Sequence, residues 1–591
     1  YFPQTISAQT LIKHFNWLKE NGYNVISWQQ VIDAENGKGT LPDNAVLLSF
    51  DDGYETMYNV VFPLLKAYNY PAVFAPVTGW LDTPADQKIA YADKMLDRSV
   101  FVTWAQVKEM EQSGLVEVAS HTHNLHNGIN ANPAGGQLPA VIAPEYKNGK
   151  YETEDAYKNR LKSDFARTVQ TLINHIGKKP RVMVWPYGQF NDVAVQIARQ
   201  AGMPHYFSLG EKIVNKVGDK HIGRLLLNAE TDLNTVKNYL DGIDESKQIQ
   251  RVLHVDLDYV YDADKAQQAK NLDKLIDRIY RYGVTTVYLQ AFSDPDGDGV
   301  ADALYFPNKY LPVRDDIFGR IAWQLQTRAG VQVYAWMPVL AFDLRKGVKE
   351  AEYVIDSRTG KPSTKAYLRL SPYNNQNVEI IKSIYNDLSF YAKFNGILFH
   401  DDAFLTDFEG AEGTHAEGMV SPQAKQKTQD LIQLTHQLTD ALKPYFLRGS
   451  YSLKTARNIY ASVITTPNAE EWLAQNLKTL TENYDTTAIM AMPYMENEQP
   501  ISQKEAYQWF ASLIENVKAQ APLDKVLFEF QAVNWRTQKP IPESELIDWM
   551  TLLQKNHIYS YGYYPDNFLT NQPDMNKMKP YFSVNTNAGK K

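Results

Sequence analysis

Cysteine is absent from all 591 residues, which excludes a disulfide framework, a thiolate zinc site and a cysteine nucleophile. No run of about 18 apolar residues occurs, so no segment suits a bilayer-spanning helix. The first residues, YFPQTIS, carry no charged-then-apolar leader and read as the middle of a longer chain, so part of the mature N-terminus is expected upstream. An excess of basic residues is lacking too. Lys and Arg number 60 against 68 Asp and Glu, a formal charge of −8 with no Lys/Arg block, which argues against nucleic acid or an anionic membrane surface as the main partner. Biased composition is also missing. At 44% hydrophobic and 22% charged, the chain is ordinary globular protein, neither disordered nor collagen-like nor coiled coil, and its length calls for at least two domains. The bias that is present is aromatic. With 37 Tyr, 24 Phe and 11 Trp, flat apolar faces are available to stack on sugar rings or to fill a Tyr-rich core.

Two rhythms divide the chain. Residues 11–241 alternate amphipathic helices (8–21, 59–69) with apolar strands (45–50, 72–77, 116–120, 182–186), the order of a parallel-stranded α/β fold. Residues 127–151, rich in Gly, Pro and Asn, read as a long, mobile surface insertion. DESKQIQ (244–250) reads as a linker, giving domains 1–243 and 250–591. Beyond it, eight strand-like segments each precede a helix-compatible stretch: 252–258, 285–292, 331–339, 396–403, 445–451, 487–494, 525–533 and 558–567. That count matches a (β/α)8 barrel, in which side chains at the C-terminal strand ends carry the chemistry. Asp256, Asp258, Gln290, Trp336, Asp401, Asp402, Tyr494 and Glu529 all fall late in a strand or just past it.

SFDDGY (49–54) places Asp51 and Asp52 at the end of an apolar strand, with Gly53 free to turn the chain. Adjacent side chains diverge, so the two carboxylates can hold different roles at one cleft. The strand VEVAS ends in SHTHNLH (120–126), three histidines in six residues. One Asp oxygen and two neutral imidazoles make a three-ligand site that leaves a position on Zn²⁺ or a similar ion open to water. Each cluster alone is commonly a solvated strand end or loop; together, at the ends of parallel strands, they point to a metal site.

SFDDG, VEVASHTHNLH and WPYG (185–188) resemble, in order and spacing, the three motifs TFDDG, H-[ST]-x-x-H and R-x-P-[YW] of the NodB-type polysaccharide deacetylases, carbohydrate esterase family 4. The resemblance covers roughly residues 5–240. With the barrel that follows, it extends to the members of that family that act in biofilm exopolysaccharide export. It implies an α/β architecture with an N-terminal distorted (β/α) barrel of the deacetylase type and a C-terminal glycoside hydrolase-like (β/α)8 barrel. The implied reaction is metal-dependent N-deacetylation of poly-β-1,6-N-acetyl-D-glucosamine. One divalent ion is implied, zinc first, then cobalt, nickel or iron. Asp51 is the implied general base, Asp52 and His121 are ligands, and Trp185 and Tyr187 border the substrate. A backbone N–H near Tyr187 shares the oxyanion with the metal.

Several positions depart from the family pattern. The second ligand's usual place is Leu125, so one extra residue moves it to His126, with His123 the second choice. The third-motif Arg that orients the base aligns with Val184, and Arg181 stands three residues too early. The family's acid His has no match after residue 200, since His205 and His221 sit in the wrong context. In the exopolysaccharide branch that His lies on an N-terminal strand, which would precede Tyr1, so slow turnover is expected.

In the second half Asp401 and Asp402 occupy the place of barrel acids, with Glu529 and Asp256 as partners, although ion pairs at strand ends would place them there too. Trp336, Trp472, Trp535, Tyr494, Tyr563 and Tyr564 are candidate sugar platforms or core. DPDGDGVAD (294–302) resembles a calcium loop, with Asp294, Asp296, Asp298 and Asp302 as oxygen donors, but Tyr305 replaces the closing Glu. A solvated loop at the barrel mouth reads equally from these residues. Two other functions compete with the deacetylase: a non-catalytic carbohydrate-binding export scaffold, and a plain two-domain glycosidase. The resemblance further implies an outer-membrane export porin as partner. It also implies a periplasmic location through a lipid anchor upstream of Tyr1.

Overall fold

The computed structural model describes residues 5–91, 94–210, 214–242, 249–363, 367–410, 420–449 and 452–585. The chain divides into two compact units, Tyr1–Lys247 with Leu447–Ser452, and Gln248–Phe446 with Leu453–Lys591. Most of the 244–250 linker lies outside the described residues.

The first unit holds two three-stranded parallel sheets. One orders β1 (Leu48–Asp52), β2 (Ala72–Pro76) and β3 (Val116–Val118); the other orders β4 (Val182–Val184), β5 (His205–Leu209) and β6 (His221–Arg224). A parallel bridge from Ser120 to Met183 joins β3 to β4, so six strands run in sequence order and present their C-terminal ends on one side. β2 is buried along its whole length, as a parallel strand covered on both faces should be. Trp28, Val73, Ala75, Ala119, Val182, Val184 and Phe207 pack together as the interior. Between β3 and β4 runs α1 (Glu154–Ile176), started by Thr153 accepting the Ala156 N–H, with Glu154 and Asp155 in its first turn, and ended by Gly177 at φ +74°. Its buried Tyr157, Leu161, Phe165 and Leu172 recur at helical spacing.

The insertion at 127–151 is more structured than its composition suggests. It forms two hairpins, Gly128–Asn130 with Gln137–Pro139 and Tyr146–Lys147 with Lys150–Tyr151. Arg160 of α1 ties it down through the Ala140 and Ala143 carbonyls.

The second unit is a closed parallel barrel of eight strands: β7 (Arg251–Val255), β8 (Thr286–Gln290), β9 (Gln332–Met337), β10 (Gly396–Phe399), β11 (Lys454–Tyr460), β12 (Thr486–Ala491), β13 (Val526–Gln531) and β14 (Tyr561–Tyr564). β14 pairs back onto β7 from Arg251↔Tyr561. One strand lies elsewhere than its apolar pattern indicated. YFLRGSY (445–451) is not the fifth strand; residues 447–452 belong to the first unit, and two of them, 450 and 451, lie outside the described residues. The fifth strand is KTARNIY, whose polar residues hid it. Arg457 is buried and bonds the Tyr484 hydroxyl and the Ala403 carbonyl, and Asn458 bonds Glu529 across the barrel. Buried polar side chains with partners of their own replace the apolar ones that pattern reading expects.

Candidate functional site

At the end of β1, two successive left-handed residues, Asp52 at φ +75° and Gly53 at φ +109°, turn the chain out of the strand. Asp tolerates that region better than most residues. Gly53 fits because a Cβ there would meet Leu81 Cδ1 and Pro76 Cβ at 3.2 Å, in a conformation already strained for any side chain. The two carboxylates then face different partners. Asp52 Oδ1 lies 3.3 Å from both His121 Nε2 and His126 Nε2. His121 Nδ1 is 2.7 Å from the Val184 carbonyl, a bond that puts a ring proton on Nδ1 and turns Nε2 toward Asp52. The His126 ring packs among Trp80, Tyr91 and Tyr187, 4.5 Å from the last. The three donor atoms lie within 4.8 Å of one another, and one carboxylate with two imidazoles fits a divalent ion with an open position.

Burial works against ionising Asp52, but hydrogen bonds from His121 and His126 hold its carboxyl far below the usual range. Burial also opposes ionisation of Asp51, and the charges of Arg224 and His121 outweigh it. Arg224 grips Asp51 with two bonds, Nη1 to Oδ1 at 2.8 Å and Nη2 to Oδ2 at 2.9 Å, and Nη1 also reaches Ser49 Oγ at 2.9 Å. Sequence reading missed this residue. Arg224 ends the last strand of the first unit, and the signal that could have found it is topological. Curling of the sheet brings the end of β6 to β1, so an Arg there can occupy the ground vacated at Val184.

The other candidates around the site separate cleanly. Arg181 pairs with Glu117 and bonds Gln29, away from the cluster. His123 stands outside the three-donor cluster and places Nδ1 3.0 Å from Thr78 Oγ1. Trp185, expected to border the substrate, is fully buried among Phe165, Phe190 and Tyr206 and offers no face to a ligand. Tyr187 is 42% exposed, at φ +58°.

At the barrel mouth Asp401 gathers the Tyr367 hydroxyl at 2.9 Å, the Tyr460 hydroxyl at 2.9 Å and His400 Nε2 at 2.8 Å. His400 Nδ1 in turn accepts from Trp336 Nε1 at 2.7 Å. Burial disfavours the Asp401 charge, but His400 and the two hydroxyls keep its carboxyl below the usual range. Trp336 sits edge-on between His254 and Tyr564, and Trp535 lies 6.2 Å from Tyr564, tilted by 33°. Asp256 Oδ2 accepts from the Tyr564 hydroxyl at 3.3 Å while its Oδ1 is buried without a partner. Burial and the neighbouring Asp258 push Asp256 up to about 7.

Three expected barrel residues hold other posts. Asp402 is fully buried and accepts the N–H groups of Val339, Leu340 and Ala341, so it anchors the loop after β9 rather than meeting substrate. Glu529 is buried between His254 Nε2 and Asn458 Nδ2, each at 2.7 Å. The Tyr494 hydroxyl turns to Glu545 of α2 (Glu543–Lys555). Glu496 was not foreseen. It accepts the Ala461 and Ser462 N–H groups, and burial, with Asp401 adding to it, lifts its carboxyl to about 7. Asp294, Asp296 and Asp298 cluster, but Asp302 stands outside the cluster and the Tyr305 hydroxyl is bound to Asp258.

Residues 38–206 match the polysaccharide deacetylase family, and residues 254–564 match hypothetical glycosyl hydrolase family 13. A poly-β-1,6-N-acetyl-D-glucosamine N-deacetylase from Escherichia coli (strain K12) is 40% identical, over 98% of this chain and 89% of its own length. Among solved structures, the PgaB (BpsB) glycoside hydrolase domain from Bordetella bronchiseptica is 39% identical with a TM-score of 0.53, covering 57% of this chain and all of that one. A de-N-acetylase from Aggregatibacter actinomycetemcomitans is 69% identical over 40% of this chain and 91% of its own, with a TM-score of 0.40.

Proposed function

This chain belongs to the family of poly-β-1,6-N-acetyl-D-glucosamine N-deacetylases, and from that premise we propose that its first unit hydrolyses the acetamide groups of that polymer with a divalent ion, zinc by preference, held by Asp52, His121 and His126. An ion in that position supplies Lewis acidity, which acidifies water and polarises a carbonyl. The protein's own groups do the rest. Asp51, ionised and beside the ligand set, takes the proton of the attacking water. Arg224 occupies both Asp51 oxygens, which keeps that carboxylate in one orientation and out of the ligand set. Tyr187 offers its exposed ring beside His126 to the sugar, and its backbone N–H is our candidate donor to the developing oxyanion.

The observation that carries this reading is the Asp52–His121–His126 triangle beside an Arg-clamped Asp51. Acetate release from N-acetylglucosamine oligomers, followed with added metal and with chelator, tests it. Release that depends on metal and stops with chelator is the expected result; none under any metal condition would favour the non-catalytic scaffold.

The Asp401 cluster supports a second role. We propose that the barrel binds, or cleaves, partly deacetylated polymer with Asp401 as its working carboxylate, Trp535 and Tyr564 as sugar-facing aromatics, buried Trp336 behind them holding His400, and Asp256 at the same mouth. New reducing ends from partly deacetylated oligomers, absent with Asp401→Asn, would mark cleavage. Retention of the oligomers without new ends would mark binding alone.

A further inference from the structure

Five positions separate His121 from His126, so the loop between them has to return the second imidazole to the same carboxylate. It does so with Thr122 at φ +70°, a region β-branched residues avoid unless the surroundings impose it. The surroundings are α1. Buried Asp164 accepts the His123 N–H on Oδ1 at 2.9 Å and the Asn124 N–H on Oδ2 at 2.7 Å. One turn further along the same face, Thr168 Oγ1 lies 3.1 Å from both Thr78 Oγ1 and Ser120 Oγ. Ser120 Oγ in turn accepts the Thr122 N–H.

The far side of the loop is held by the turn at Thr78. The Thr78 N–H donates to the Thr122 carbonyl at 3.2 Å and the Gly79 N–H to the His123 carbonyl at 2.8 Å. A Cβ at Gly79 would stand 2.4 Å from that carbonyl oxygen, so only glycine allows the approach. None of these bonds engages the imidazole of His121 or His126, yet together they leave the intervening backbone one path. A carboxylate taken out of water is costly unless it is fully bonded, and here both of its oxygens are spent on this loop.

We infer that the Asp164–Thr168 row of α1 positions the metal centre, by fixing the four-residue loop so that His121 and His126 converge on Asp52. The inference rests on the proposed ligand set, and one experiment separates the two. Zn²⁺ affinity is measured on the full chain by chelator competition, beside the melting temperature of the metal-free protein. In Asp164→Asn one amide loses its acceptor and faces an NH₂ group instead. The expected result is a Zn²⁺ Kd about 10–100-fold weaker, the usual cost of losing an outer-shell partner. Acetate release is expected to recover at saturating zinc with KM unchanged. Leu161→Ala, which weakens the apolar face of α1 and leaves the loop's bonds in place, is expected to melt earlier and bind zinc as the parent does. Parent-like affinity in Asp164→Asn overturns the inference, as does an equal loss of affinity in Leu161→Ala. Should Asp164→Asn not fold, Thr168→Val takes its place with the same two outcomes. A parent chain that binds no zinc would instead overturn the ligand set.

Discussion

Asp51 and Asp52 show how much one position along a strand can change a carboxylate. Successive side chains leave a strand on opposite faces, and the left-handed turn at Asp52 widens the divergence, so one meets an arginine and the other two imidazoles. His126→Ala should lose the ion, because two protein ligands remain where three hold it; full occupancy with His123 substituting would overturn that assignment. Asp51→Asn should keep the ion and lose ~10²–10⁴-fold in kcat, the usual worth of a general base, so an unchanged rate would sink the role. Arg224→Met should keep the ion as well and lower kcat by about 10–100-fold, as removal of a supporting partner does. Metal titration beside acetate release distinguishes all three variants. The pair Asp51 and Asp52 was legible in the sequence, and so were His121 and His126. Arg224 was not, because it stands 173 residues from Asp51 and only the curl of the sheet makes them neighbours.

At the level of elements, the barrel strands keep polar groups inside and meet their needs with one another. β11 was misread for that reason: Arg457 and Asn458, on opposite faces of the strand, are both buried, against the rule that apolar alternation marks a strand. The loops above behave alike. Arg369 and Glu409 are both buried and paired, and Arg369 also bonds the Phe404 carbonyl. Arg369→Met should therefore cost about 3–5 kcal/mol in denaturant unfolding, because it strands a buried carboxylate; a cost under about 1 kcal/mol would show that water reaches Glu409. At the end of β7, Asp256 carries the opposite balance. Its folded value near 7 lies above the ordinary 3.8, so the folded state holds a proton that the unfolded state has released. Stability is then lost as pH rises from about 4 to about 7 and stays low above that. Asp256→Asn should remove this slope, with a gain at pH 8 of up to about 4 kcal/mol and little change at pH 4. Identical pH profiles of melting temperature in parent and variant would contradict the assignment.

The molecule as a whole carries two carboxylate-based sites that the reaction links by charge. Deacetylation turns a neutral sugar into a cationic one, and Asp256, Asp258, Asp401, Asp402 and Glu529 all fall late in barrel strands or just past them, where acids could receive it. The structure leaves fewer. Asp258 is paired with Arg314, Asp402 is buried under three backbone N–H groups, and Glu529 is covered by His254 and Asn458. Asp401 remains charged, beside an Asp256 that is about half protonated near pH 7. An ammonium paired with buried Asp401 gains attraction but gives up its water, which holds the net worth of the pair to about 1 kcal/mol. Partly deacetylated oligomers should therefore bind no more than about fivefold tighter than fully acetylated ones, less so as salt rises, and Asp401→Asn should abolish the difference while acetate release continues. A preference that survives both high salt and that substitution would leave aromatic stacking as the source of selectivity.

Local order is what the sequence determines here. Apolar strands ending in SFDDG and SHTHNLH, a change of rhythm near residue 245, and seven of the eight later barrel strands follow from residue spacing, because strand and helix periodicity and turn chemistry act over a few residues. Tertiary structure decided the rest. Which carboxylate stays free, which aromatic is buried, and which arginine holds the base depend on partners brought together from strands far apart in the chain. A side chain's ionisation and exposure belong to those partners and not to its neighbours in sequence. Thus Trp185 is core, Asp402 and Glu529 are anchors, and Arg224 supplies the cation that the third motif lacks.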